Sequence, residues 1–181
     1  MIRLVAPLAA AESFLSSIMT RIGILSDTHA LWDDRYALHF ADCDQIWHAG
    51  DIGSAEVADR LAAIAPLHAV VGNIDGSPLR RRFPEVDIFE VEGMKILMTH
   101  IGGYPGRYAP GMRSLLIKEK PQIFVAGHSH ILKIINDPAL RCLHINPGAA
   151  GRQGWQTVRT LVLLTLDNGV PTDCQVVELS R

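Results

Sequence analysis

The sequence predicts an α+β fold in which two sheets pack face to face, and three observations carry the prediction. Up to Ala126, short apolar runs alternate with segments of helical period, the pattern left by crossover helices between strands. From Ile131 onward, apolar runs follow one another through links such as Asn136-Asp137-Pro138 and Asp167-Asn168-Gly169, which favour antiparallel neighbours in a meandering second half. Oxygen and nitrogen donors recur at or just past the ends of the expected strands, most densely in Ala126-Gly127-His128-Ser129-His130.

Taken in order, Arg21–Ser26 reads as a buried strand, with Ile22, Ile24 and Leu25 interrupted only by Gly23, and it delivers Asp27, Thr28 and His29. Leu31, Tyr36, Leu38 and Phe40 suggest a helical segment within Leu31–Asp42. Gln45–His48 is a second strand that leaves through Ala49-Gly50-Asp51 into a turn. Ser54 is suited to cap a helix in which Val57, Leu61 and Ile64 recur at helical spacing until Pro66 stops it. Leu67–Val71 is a third strand, and Gly72-Asn73-Ile74-Asp75-Gly76 is made of residues suited to a turn. Val86–Val91 and Met94–Thr99 alternate about Glu92-Gly93 as a hairpin whose second strand ends at His100. Gly102–Gly111 is a loop rich in glycine and proline, Met112–Lys120 is helical in pattern up to Pro121, and Gln122–Ala126 leads into the two histidines. Four further strands are expected at Ile131–Ile135, Leu140–Ile145, Val158–Leu166 and Gln175–Leu179.

The 181 residues suit one domain. A chain of that size buries about two-thirds of its unfolded surface. With 48% apolar and 20% charged residues, the composition is that of a soluble globular protein rather than a disordered or fibrous one. A net charge of -2 shows no basic footprint, which disfavours a chain that grips long nucleic acid with lysine and arginine. Any phosphate chemistry must draw its positive charge from elsewhere. Cys43, Cys142 and Cys174 are odd in number and far apart, with no Cys-x-x-Cys, so a reducing compartment is expected and no disulfide framework. No apolar run is long enough to span a bilayer, and a cytoplasmic location without a membrane partner follows. The run Leu4–Ala11 is a poor secretory signal, because its charged region is one arginine and Pro7 interrupts it. The preferred reading makes Met19 the natural start; residues 1–19 are expected to be a poorly ordered extension or a loosely docked helix, and residues 20–181 the single domain.

Two histidines one residue apart, just past a strand, can lean into one pocket. Neutral imidazole is the commonest nitrogen ligand for borderline divalent metals. A His-x-His alone is a weak signal, and its company strengthens it: Asp27, His29, Asp51, Asn73 and His100 join His128 and His130. None is a thiolate, so the set suits manganese, iron, nickel or zinc with open positions better than a closed structural zinc site. Seven donors are too many for one ion and fit two if one carboxylate bridges. Two such ions against Asp27 and Asp51 leave a charge of about +2, so an acidic chain can still attract phosphate esters locally. Taken singly, each donor has a plainer reading. Asp27 could cap a helix, Asp51 and Asp75 could hold their own turns, and His100 could be a half-buried histidine, but these readings do not predict that all fall at strand ends. His48 points to the opposite pleat face and reads as support or core, and His39, His68 and His144 lack partners at ligand spacing and read as structural. The Gly102–Gly111 loop starts two residues after His100; it offers Arg107 to a phosphate oxygen and Tyr104 or Tyr108 as a face for a leaving group, unless it is a surface loop packed on itself.

The order Asp27-Thr28-His29, Gly50-Asp51, Gly72-Asn73-Ile74-Asp75, Thr99-His100 and Gly127-His128-Ser129-His130 resembles the calcineurin-like metallophosphoesterases, most of all their small bacterial and archaeal phosphodiesterase branch. The resemblance runs from Thr20 to the C-terminus. It implies a four-layer α/β/β/α sandwich of two mixed sheets flanked by helices, with the metals at the strand ends between them. Carried over by position, it places Asp27, His29 and His130 on one ion, Asn73, His100 and His128 on the other, and Asp51 between them. It also implies a bridging hydroxide that attacks phosphorus in line, with Asp51, Asn73 and His128 as the catalytic residues. Many members of the wider family carry a histidine where this chain has Ile74, so a slower enzyme is expected, one favouring good leaving groups and diesters over unactivated monoesters.

The expected function is therefore that of a phosphoric ester hydrolase, a phosphodiesterase for small phosphate esters that uses two divalent ions. Manganese is the first choice of metal, with iron, nickel and zinc as alternatives; a homo-oligomer is compatible with the sequence. The rival reading is a non-catalytic protein-binding scaffold, a role shown by a retromer subunit that resembles the family.

Overall fold

The computed structural model describes residues 19–180. The expected extension thus lies outside the described residues, except for Met19, which opens the first strand opposite Asp167. In chain order the elements begin with β1 (Met19–Leu25), α1 (Asp34–Phe40), β2 (Gln45–His48), α2 (Ala55–Ala62), β3 (Leu67–Ala69) and α3 (Ser77–Arg80). They continue with β4 (Val86–Val91), β5 (Met94–Thr99), the short β6 (Gly103–Tyr104) and β7 (Arg107–Tyr108), α4 (Met112–Glu119) and β8 (Ile123–Ala126). The chain ends with β9 (Leu132–Asp137), β10 (Cys142–Pro147), β11 (Arg159–Asp167) and β12 (Val170–Leu179).

Two mixed five-stranded sheets result, ordered β12-β11-β1-β2-β3 and β4-β5-β8-β10-β9. Their facing sides interleave Ile22, Ile24, Trp47, Ile96, Val125, Ile145 and Leu164, all 0% exposed. Each such aliphatic side chain contributes about 1.5–3 kcal/mol when fully buried. Outside the first sheet, Tyr36 and Phe40 of α1 and Val57 and Leu61 of α2 cover Leu25 and Ile46; outside the second, Met112 and Leu116 of α4 cover Leu97 and Phe124. Helix, sheet, sheet and helix are the four expected layers. Among the described residues no helix is long and apolar enough to cross a membrane.

Local chemistry explains the boundaries. Asp33 caps α1 by accepting from Arg35 N, and Ser54 caps α2 by accepting from Val57 N. α4 stops because Lys120 turns left-handed (φ 51°) before Pro121, which cannot continue a helix.

Four expectations need correction. The four-residue α3 was not foreseen; Pro78 in its first turn has its φ already suited to a helix. The Gly102–Gly111 loop contains the β6–β7 ribbon. β12 begins at Val170 rather than Gln175, because an outer strand needs only its backbone ladder and leaves Thr172, Asp173 and Gln175 exposed. The last four strands do not form one meander. β9 and β10 pair within the second sheet, whereas β11 and β12 return to the first beside β1. β11 is apolar on both faces: Leu161 and Leu163 meet the helices while Val162, Leu164 and Leu166 meet the other sheet. A position next to β1 covers both faces at once.

Candidate metal centre

β1, β2 and β3 run parallel in one sheet and β5, β8 and β10 run parallel in the other. Ligand sites in parallel α/β sheets form beyond the carboxyl ends of the strands, where connecting loops diverge. Six of the seven donors, Asp27, His29, Asp51, Asn73, His100 and His130, bring their ligand atoms together there, and the exposed His128 joins them only by the contact of its ring with His100. His29 Nε2 lies 3.3 Å from His130 Nε2 and 3.9 Å from Asp51 Oδ2. His100 Nε2 lies 3.3 Å from Asp51 Oδ1, 3.1 Å from Asn73 Oδ1 and 3.9 Å from Asp27 Oδ1. Asp27 Oδ1 is also 3.1 Å from His130 Nε2, and the His128 ring stands edge-on to His100 with centroids 5.2 Å apart. Two groups emerge, Asp27-His29-His130 and Asp27-Asp51-His100, each with its donor atoms within 4.8 Å of one another. Asp51 turns one oxygen to each side, as a bridging carboxylate would, and Asp27 belongs to both groups although the resemblance placed it on one ion only.

Hydrogen bonding behind the rings tests whether these residues suit a cation. His100 Nδ1 is 2.7 Å from the Ala49 carbonyl, so it carries the proton and donates. That leaves Nε2 bare in the neutral ring, facing the Asp51, Asn73 and Asp27 oxygens, which are acceptors only. His130 repeats the arrangement: Nδ1 faces Gln156 Oε1 at 3.1 Å and Nε2 faces Asp27. Asp27 is fully buried, and its Oδ1 has no hydrogen-bond donor aligned with it despite the nearby ring. Lone pair against lone pair is repulsive, and a cation or proton between them removes the conflict. The residues therefore fit a divalent ion. The same geometry shows in the proton affinities. Burial works against the charged form of His100, but Asp51 and Asp27 outweigh it and raise its pKa; Asp27 raises that of His130. Burial pushes Asp51 up, yet His100 and the Ile74 N–H hold it below the ordinary carboxylate value.

The backbone is strained at this edge. Asp27 (φ 55°), His29 (48°), Asp51 (54°), His128 (69°) and His130 (57°) all lie in the left-handed region. Such residues cost about 1–3 kcal/mol each and persist where their surroundings over-determine them. Here Asp27 N donates to Gly50 O (3.0 Å), His29 N to Asp51 O (3.0 Å), Gly127 N to His100 O (3.0 Å) and Gly151 N to Asp27 O (2.9 Å). Two glycines permit the close approach. A Cβ on Gly72 would strike Asp51, and one on Gly127 would strike Ser26 Oγ and the Ala49 carbonyl.

Behind the donors stands a buried polar layer. Gly50 N donates to His48 Nδ1 at 3.2 Å, so His48 Nε2 bears the proton that points to Thr28 Oγ1 (2.9 Å), and the Thr28 hydroxyl passes on to Ile52 O (2.9 Å). Burial pushes the His48 pKa down to about 4, which keeps the ring neutral in this chain of bonds. Asp75 accepts from Gly72 N (2.8 Å), Gly53 N (2.7 Å) and Ile52 N (3.2 Å), clamping the Asp51 turn to the Asn73 turn.

Sequence reasoning missed three supports. Arg159, 1% exposed, donates from Nε to Ala150 O (2.6 Å) and from its terminal nitrogens to Asp33 (2.9 Å) and the Tyr36 hydroxyl (3.1 Å). Ala150 N in turn holds Ser26 O at 2.8 Å, one residue before Asp27. Asn146 Nδ2 donates to Gly127 O (2.8 Å), and Gln156 orients His130. In sequence, an arginine opening a strand looks like any surface charge.

Tyr104 and the exposed Arg107 line a cavity of about 240 Å³ together with His128 and His144. Tyr108 does not join them: its hydroxyl donates to Asp137 Oδ2 at 2.6 Å, on the far side of the ribbon. Ile74 is 47% exposed beside Asn73, and its N–H donates to Asp51 Oδ1 at 3.1 Å.

Known proteins share the family and the fold. Residues 20–169 match the family model of the calcineurin-like phosphoesterase superfamily domain. A curated protein of Methanocaldococcus jannaschii, named a probable metallophosphoesterase, is 33% identical over 135 residues, covering 71% of this chain and 67% of that protein. Another of that name, from Methanothermobacter thermautotrophicus, is 28% identical over 144 residues, covering 71% of this chain and 76% of its own. Among solved structures, a novel archaeal phosphodiesterase superposes with a TM-score of 0.68 at 24% identity over 88% of this chain and 99% of its own. Vacuolar protein sorting 29 from Cryptosporidium parvum superposes with a TM-score of 0.69 at 18% identity over 90% and 99%. Likeness at such identities speaks for the fold alone. Through the family model and the 33% relative, this chain belongs to the calcineurin-like phosphoesterase superfamily.

Proposed function

We propose that the protein is a phosphodiesterase for small phosphate esters that works with two divalent ions, one held by Asp27, His29 and His130 and the other by Asn73, His100 and His128, with Asp51 shared. The observation that carries this reading is the Asp51 carboxylate, 4% exposed, with one oxygen 3.3 Å from His100 and the other 3.9 Å from His29. Divalent ions bound there supply Lewis acidity to the phosphate oxygens and lower the pKa of a coordinated water toward neutrality. His100 and His130 keep their Nε2 lone pairs aimed inward because their Nδ1 protons are tied to Ala49 O and Gln156. Asp27 and Asp51 fix the charge of the site. Ile74 offers neither a proton nor a charge to a departing oxygen, which favours esters with good leaving groups.

The diester preference has a geometric support. A second cavity, of about 360 Å³, lies beside Asn73 and His100, and Ile101 lines both cavities. A diester has two substituents to place, a monoester one.

The scaffold reading has an observation of its own, since Ile131 (63%), Leu132 (38%) and Ile135 (45%) are exposed on or next to the outer strand β9. It leaves unexplained why two buried carboxylates face imidazole lone pairs at the strand ends, an arrangement that calls for a cation or a proton between them.

The test is hydrolysis of bis(p-nitrophenyl) phosphate and of an aliphatic monoester by protein stripped of metal and reloaded with manganese. Turnover of the diester should depend on manganese and fall by on the order of 100-fold or more in Asp51→Asn. Stable partner binding that survives metal removal, without turnover, would favour the scaffold.

A further inference from the structure

The donors of the two ions are held unequally. Asp27 is fully buried and braced through its own backbone, its N–H on Gly50 O and its carbonyl on Gly151 N. Asn73 is an exposed, neutral amide whose Oδ1 faces the bare Nε2 of His100 at 3.1 Å. With the His100 ring neutral, acceptor meets acceptor and that contact holds nothing. The place of the amide oxygen therefore rests on the turn that carries it.

That turn has little packing of its own. Ile74 is 47% exposed, and Gly76, Ser77 and Pro78 are exposed as well. On its inner side the Asp75 carboxylate gathers the N–H groups of Gly72, Gly53 and Ile52. On its outer side stands Arg80, brought back over the turn by α3. Its Nε donates to Asp75 O (2.8 Å) and its Nη2 to Gly72 O (2.8 Å), the two carbonyls that flank Asn73 and Ile74. Its third partner, Glu85 at 3.1 Å, is mostly exposed, and such pairs contribute little. A guanidinium is a flat fork of fixed N–H directions that can hold two carbonyls at a set separation; an ammonium is a point charge on a flexible stem and cannot. The same turn sends the Ile74 N–H to Asp51 Oδ1 (3.1 Å), the oxygen on the His100 side of the bridging carboxylate. Both effects of the fork thus fall on one half of the site.

Resting on the two-ion reading above, we propose that Arg80 is a positioning residue for the ion of Asn73, His100 and His128: it fixes the Asn73 oxygen through the two flanking carbonyls and so sets the affinity of that ion alone. Arg80 also lines the cavity beside Asn73, so its charge is the rival explanation, and Arg80→Lys separates the two by keeping the charge and losing the fork.

The test is isothermal titration calorimetry of manganese into metal-free protein without substrate. Wild type should bind two ions. Arg80→Lys and Arg80→Met should each weaken one ion by about tenfold and leave the other within about twofold. Glu85→Gln, which removes only the exposed partner, should leave both affinities as they are. Asn73→Ala should weaken the same ion, and Arg80→Lys added to it should cost nothing more, because the two act through one ligand. With manganese raised until that ion is restored, Arg80→Lys should turn over bis(p-nitrophenyl) phosphate within about threefold of wild type. Equal weakening of both ions, full affinity in Arg80→Lys, an additive loss in the double variant, or a rate that excess manganese does not restore would overturn the assignment. If wild type binds one ion or none, the two-ion reading fails by itself, and Arg80 is then decided by amide hydrogen exchange in metal-free protein. Faster exchange of the Ile74 N–H in Arg80→Lys, with the Gly151 N–H unchanged, supports its hold on the turn; equal rates refute it.

Discussion

At the carboxyl end of the parallel strands, Asp27, His29, Asp51, His128 and His130 hold positive φ; at the opposite end, Glu92-Gly93 and Asn168-Gly169 do the same. The far-end pairs are the middle residues of two-residue hairpins, β4 to β5 and β11 to β12, where both central residues must be left-handed for the turn to match the twist of the strands. The two hairpins touch, Gly169 N donating to Glu92 Oε2 at 2.7 Å, but each conformation is dictated locally. At the site end no hairpin demands it. Aspartate and histidine are bent there by bonds to residues far along the chain, such as Asp27 N to Gly50 O and Gly151 N to Asp27 O. Strain set by a turn is local and cheap to keep; strain set by convergence needs the whole sandwich behind it.

The largest effect expected from that difference follows Arg159→Met. It removes a buried guanidinium that ties Ala150 to Asp33 and Tyr36, and through Ala150 steadies Ser26 and Asp27. Breaking a buried ion pair on one side costs about 3–5 kcal/mol. Denaturant unfolding should show a loss of that size, and the protein that remains folded should hydrolyse the bis ester more slowly. Unchanged stability would mean that the site end does not depend on remote support.

Next in size is the response to metal. A ligand that binds only the folded state at 100 times its dissociation constant stabilises by about 2.7 kcal/mol. Manganese should raise the melting temperature of the wild type by several degrees, and Asp27→Asn should abolish the rise. A far-end variant should keep it in full.

Much of this contrast was legible in the sequence, for physical reasons that differ between the ends. Glu92-Gly93 and Asp167-Asn168-Gly169 announce themselves because a two-residue turn selects glycine and asparagine by local sterics. The donors were legible as a set because Asp27, Asp51, Asn73, His100 and His128 each follow an apolar run that could be recognised as a strand. What holds them was not. Arg159 and Gln156 lie far along the chain from the residues they support, and no period or turn rule joins them to Asp27 or His130. The return of β11 to the first sheet was equally hidden, since alternation marks a strand without naming its neighbour.

Acid should separate the ends more gently. Arg35, and then Arg159, hold the Asp33 carboxyl well below the usual carboxylate range, against the effect of burial. A depressed folded pKa means that the ion pair contributes its full stability above the unfolded value, about 3.9, and loses it as the pH falls from there through the folded value. Asp33→Asn keeps an acceptor to cap α1 but discards the charge. The wild type should be the more stable at about pH 7, with the gap closing below about pH 4. A gap that stayed constant across that range would show that Arg159 is held by its bonds to Ala150 and Tyr36 alone.

The smallest effect is expected at the far end, and it decides whether strain there is as local as the comparison holds. Asn168, at φ 50°, tolerates the left-handed region better than most residues because its short side chain bonds locally, here to Asp167 Oδ1 at 2.7 Å. Asn168→Ala should cost about 1 kcal/mol, since a bare Cβ crowds the following carbonyl, and Asn168→Gly should recover most of it because glycine has no Cβ to crowd. Both variants should hydrolyse the bis ester at the wild-type rate and bind manganese as the wild type does. The hairpin touches the site only through the length of β11 and β1, and a two-residue turn that closes on itself has no means of shifting Asp27 at the other end of its strand. Loss of turnover in a stably folded Asn168→Ala would show instead that the register of β11 against β1 is set from the hairpin and transmitted to Asp27.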